Sequence, residues 1–93
     1  MVVGVLQMRL LIREASSLKD KRRVVKSLRE RIRNDFNVSV SEVDALDRRQ
    51  TAVLGVAIVT NEARFADQVL AKVVDLVRRT AGAELVEYET ELL

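Results

Sequence analysis

Lys19, Arg22, Arg23, Lys26, Arg29 and Arg33 are spaced so that a helix places all six within one arc of about 120°. A row of ammonium and guanidinium groups attracts phosphates, and Arg, four of the six, offers the planar fork that a phosphate accepts. Segment 18–34 carries eight bases against two acids, a local charge of +6. From Lys19 to Arg33 the row is about 21 Å long at about 1.5 Å per residue, enough to follow several phosphates of a nucleic-acid backbone. The bland reading is a solvated helix face, because surface helices are commonly rich in Lys and Arg.

The remaining chemistry is sparse. The chain has no Cys and no His, so disulfides, thiol nucleophiles, imidazole acid–base catalysis and the usual soft-metal sites are excluded together. Catalysis would fall to carboxylates, Lys or Ser, and no motif assembles them, so the sequence reads as a non-enzyme without a cofactor. Ser16 and Ser17 stand at the start of the basic segment, where free helix amides and the helix dipole can hold an anion, with Lys19 and Arg22 nearby. Ser17 also opens an S-L-K-D capping box with Asp20. Glu87, Glu89 and Glu91 recur at period 2, which could gather a hard cation but better suits edge charges that discourage strand pairing, some facing Arg9 or Arg13. No metal site is assigned. Asp44 and Asp47 read as turn formers, and Lys21, inside the apolar arc of the helix, is expected to snorkel out.

The elements that must position these groups follow from hydrophobic period. Residues 2–12 alternate as a long strand, a helix runs from the Ser17 cap to about residue 36, and 37–44 alternates Val38 and Val40 with Ser39 and Ser41. A polar bend, 45–50, precedes 51–60, apolar on both faces and therefore a central strand. Asn61 is the expected cap of a second helix over 62–80, with Phe65, Val69, Leu70, Val73, Leu76 and Val77 at helical spacing. Gly82 is expected to close it, and 84–92 alternates again. The order βαββαβ with right-handed crossovers gives an α+β, ferredoxin-like domain over 1–93: a four-stranded antiparallel sheet with both helices on one face.

In that arrangement Leu6, Met8, Leu10, Leu54, Val56 and Ile58 meet the helices, and Val3, Val5, Val53, Ala57 and Val59 face away from them. A one-sided sheet is ordinarily polar where it meets water, so these five imply a cover, most simply a second copy in a homodimer. Ninety-three residues suffice for one core. The opening 1–13 has no base ahead of its apolar run and carries Gln7 and Arg9, so neither a signal peptide nor a membrane span is expected, and the cytoplasm is. A net charge of +2 hides a split between the basic helix and 84–93, which has four acids and no base. Such a split favours an anionic partner for the helix or contact between opposite patches.

Three runs, 18–23 (LKDKRR), 31–44 (RIRNDFNVSVSEVD) and 54–61 (LGVAIVTN), resemble in order and spacing the YlxP-like family of small bacterial proteins of unknown function. The resemblance spans nearly the whole chain. It implies a ferredoxin-like fold and a bacterial cytoplasmic protein often encoded beside translation-initiation and ribosome-maturation genes, with no activity, substrate or cofactor. Many relatives carry His or an aromatic residue in the middle bend, where this chain has Ala45, Leu46, Arg48 and Arg49, so no ligand role is carried over there. Likeness to acylphosphatase, another ferredoxin-like protein, stops at Arg13–Ala15, which lacks that enzyme's glycine-containing phosphate loop. The functional expectation is an accessory factor that touches structured RNA or a ribosomal particle through Lys19 to Arg33. The alternative is a protein-interaction module docking an acidic protein, with a phosphate-site enzyme a distant third and no small-molecule substrate evident. With Phe36, Phe65 and Tyr88 as the only aromatics, any RNA contact is expected to be electrostatic rather than base-stacking.

Overall fold

The computed structural model describes all 93 residues. The elements are β1 (Val2–Leu11), α1 (Leu18–Asp35), β2 (Ser39–Asp44), β3 (Thr51–Thr60), α2 (Ala63–Arg78) and β4 (Glu84–Leu92). The sheet is antiparallel in the order β2-β3-β1-β4, with the two ten-residue strands β1 and β3 at its centre. This is the ferredoxin-like architecture expected from the order of periods, with both helices on one face.

Because side chains alternate along a strand, β1 and β3 divide their residues cleanly. Leu6, Met8, Leu10, Leu54, Val56 and Ile58 join a core of 20 buried residues with Val25, Leu28 and Ile32 of α1 and the apolar side of α2. Gly4 lets α2 sit close to β1, since a Cβ there would lie 3.2 Å from both Ala66 Cβ and Leu70 Cδ1. Two bulges interrupt the ladders, one setting Val43 out of register on β2 and one setting Val86 out of register on β4.

The ends of α2 depart from the sequence reading. Its cap residue is Glu62, one position after Asn61, and no side chain caps the helix; the Glu62 amide donates instead to Thr60 Oγ1. At the other end Arg79 caps the helix, with its amide donating to the Asp75 and Val77 carbonyls. Gly82 lies three residues further on, where its φ of +89° serves the turn into β4 rather than the helix end. Phe65, placed on the packing face by its spacing, is half-exposed in the first turn, and Ala66 and Val74 fill the buried face with the other five.

Lys21 is the largest departure. It does not snorkel but is fully buried. Its Nζ donates to the carbonyls of Ala45 (2.9 Å), Leu46 (3.2 Å) and Thr51 (3.2 Å), and pairs with Glu42 Oε2 at 2.9 Å. A buried ammonium is tolerable only with such a full set of acceptors. The bend it holds contains Ala45 at φ +56°, a left-handed conformation unusual for a residue with a Cβ. No helix is long and apolar enough to cross a membrane.

Candidate nucleic-acid interface

The cationic row is built by what α1 buries. Only Lys21, Val25, Leu28 and Ile32 of its eighteen residues are buried, a narrow stripe that leaves the opposite side to water. Lys19, Arg22, Arg23, Lys26 and Arg33 are exposed together there. Arg29 borders the stripe and is half-buried, with its Nε enclosed and unpaired. The ion pairs of the fold are Arg9–Glu87, Arg13–Glu84 and Lys21–Glu42. None engages the row, so its six cations, along about 21 Å of helix, form no ion pair within the chain.

At the start of α1, Ser16 and Ser17 serve the fold. The Ser17 hydroxyl accepts from the Asp20 amide at 3.1 Å, while Asp20 Oδ2 accepts from the Ser16 amide (3.1 Å) and hydroxyl (2.7 Å). These bonds from Ser16, assisted by the Arg23 guanidinium, hold the Asp20 carboxyl below its ordinary range. The proposed anion position is thus filled by the chain's own carboxylate, and an incoming phosphate would meet that charge.

Lys21 ties the bend that carries Arg48 and Arg49 to the buried side of the first turn of α1, and both arginines are exposed. The sequence signal was available: an ammonium in the middle of an apolar arc must find acceptors, and a neighbouring polar bend supplies them.

The sheet face away from the helices is uncovered. Val3, Val5 and Ala57 are half-buried on it and Val59 is 66% exposed. Val53 differs, being 1% exposed. Its register partners are Arg9 on β1 and Asp44 at the bulge of β2, and at 1% exposure it has no surface to offer a partner. Glu87 pairs with Arg9 as its period suggested, whereas Arg13 pairs with Glu84, which lies outside that period. Nowhere do three acidic side chains converge as metal ligands would. Of the aromatics, Phe36 packs on the core and Tyr88 lies under Arg78, whose guanidinium carbon is 5.4 Å from the ring centre. Neither they nor Phe65 on α2 furnish the uncovered face with a stacking platform.

Fold and surface together define a small ferredoxin-like α/β protein, cationic along its first helix and bare on the far side of its sheet. Two designed proteins share the fold. One, with a ferredoxin fold and designated LFR1, matches at a TM-score of 0.59 with 12% identity over 98% of this chain and 86% of its own. The other, Foldit4, matches at a TM-score of 0.57 with 17% identity over 100% and 97%. The chain belongs to the family described as "Protein of unknown function (DUF503)", whose model matches residues 3–90. It is 35% identical over 72 residues to the uncharacterized protein YlxP of Bacillus subtilis (strain 168), covering 77% of this chain and 78% of that protein. The family read from the three sequence runs is the family to which the chain belongs.

Proposed function

We propose that the protein is a non-enzymatic accessory factor that binds structured RNA, alone or within a ribosomal particle, through the exposed basic face of α1. The observation that carries this reading is the unpaired state of the row. Lys19, Arg22, Arg23, Lys26, Arg29 and Arg33 form no ion pair with an acid of their own chain, although four carboxylates lie on β4. A folded surface that keeps this many cations free along one line matches the charge spacing of a phosphate backbone better than a point-like anion. The absence of aromatic side chains on the bare sheet fits contact by backbone and shape rather than by base identity.

The test is competitive binding of a labelled, folded ribosomal RNA fragment by the purified protein at low salt. Displacement by other folded RNAs irrespective of sequence, with weak displacement by polyglutamate, supports the reading. No RNA binding at low salt, with retention of an acidic polypeptide, contradicts it and assigns the helix to an acidic protein partner.

A further inference from the structure

The bare sheet face is complementary to itself about one particular axis. Register places its side chains in rows across the four strands. One row runs Ser39, Ala57, Val5, Glu91 and the next runs Ser41, Gly55, Gln7, Glu89. Each row therefore begins with a hydroxyl at one edge and ends with a carboxylate at the other. Glu89 and Glu91 are exposed and lack the Arg partners that Glu84 and Glu87 have. In the middle of the second row Gly55 has no side chain, and the Val43 side chain, set out by the β2 bulge, takes that space: a Cβ at Gly55 would lie 3.0 Å from Val43 Cγ1. Beside it the face has an open hollow of about 580 Å³ bordered by Val5, Gln7, Ser39, Ser41 and Ala57.

We infer that this face is the interface of a homodimer whose two-fold axis runs parallel to the strands, between β1 and β3. Such an axis lays β2 of one copy over β4 of its partner and β3 over β1. Ser39 and Ser41 hydroxyls then donate toward the partner's Glu91 and Glu89, Ala57 meets the partner's Val5, Val59 meets the partner's Val3, and the partner's Gln7 lies over Gly55 beside Val43. The other two-fold axis in the plane of the interface, perpendicular to the strands, stacks β4 on β4 and brings the unpaired carboxylates together, which like-charge repulsion opposes.

Size allows the contact. Strands of ten, six, ten and nine residues at about 3.3 Å per residue and about 4.8 Å apart give a face of roughly 550 Å² per copy. Two such faces bury roughly 1,100 Å², above the roughly 1,000 Å² that a specific interface needs. Face-to-face sheets pack about 10 Å apart when their central side chains are small, as Gly55 and Ala57 are. Because both helices lie on the opposite side of each sheet, the dimer carries its two cationic rows on opposite outer surfaces. The inference stands apart from RNA binding, since its readout is mass and proximity.

The chain lacks Cys, so introduced thiols report proximity without background. In sedimentation equilibrium the wild type is expected at twice the monomer mass, with the Ala57→Arg variant monomeric at unchanged circular dichroism. A Ser39→Cys/Glu91→Cys variant should cross-link between copies with a short bismaleimide, since within one copy these positions lie at opposite edges of the sheet. Ser39→Cys or Glu91→Cys alone should not. Wild-type monomer at millimolar concentration overturns the inference. So does a dimer indifferent to Ala57→Arg, or one cross-linked through Glu91→Cys alone.

Discussion

The two helices do opposite things with their surfaces. α2 buries seven of its sixteen residues, all apolar, and sits down on β1 over Gly4. α1 is two residues longer yet buries four, one of them Lys21, and carries eight bases. The first helix is thus held by a thin apolar stripe and one buried ion cluster, while the rest of its circumference faces solvent.

This contrast is broken most directly at Lys21. Lys21→Met keeps the volume but strands Glu42 and the carbonyls of Ala45, Leu46 and Thr51, and it should cost about 3–5 kcal/mol in urea unfolding. Adding Glu42→Met should recover part of the loss, because an apolar pair replaces a half-broken one. In α2 the anchor is ordinary packing. Leu70, 1% exposed, should cost about 2–5 kcal/mol when changed to Ala, with no rescue from any polar change nearby.

A smaller effect sharpens the comparison at the helix starts, since α1 has a side-chain cap and α2 has none. Asp20 titrates below its unfolded range, so its bonds to Ser16 contribute stability above the ordinary carboxylate pKa of about 3.9, lost as pH falls through the lower folded value. Ser16→Ala should move the Asp20 titration upward in an NMR pH series and narrow the stability difference between pH 6 and pH 3. An unchanged Asp20 midpoint would contradict the capping geometry.

What could be read in the residues was whatever depended on period and local chemistry. The element order, the helix-facing set on β1 and β3, the Ser17–Asp20 cap and the cationic arc all follow from spacing along one segment. What escaped depended on residues far apart in the chain. Lys21 is satisfied by carbonyls 24 to 30 positions away, and no window around α1 contains them. Val53 loses its exposure to a bulge on the neighbouring strand, which shifts register without marking the β3 sequence. Asn61 and Gly82 were good residues for their roles, each placed beyond the point where α2 begins or ends. Ser16 and Ser17 were located correctly, but their hydroxyls turn to Asp20. The hollow on the bare sheet face required the register of three strands at once.

The central claim is that the exposed face of α1 binds nucleic-acid phosphates. It is tested most directly by filter binding of a folded ribosomal RNA fragment across a salt series, comparing wild type with an Arg22→Ala/Lys26→Ala/Arg33→Ala variant of unchanged circular dichroism. These three are exposed and unpaired, so the fold should tolerate their loss, unlike that of half-buried Arg29. The account predicts a steep fall of wild-type affinity with salt, and a slope shallower by about three in the variant, one for each phosphate contact removed. Identical slopes for the two proteins would contradict it and leave the face of α1 as solvated surface.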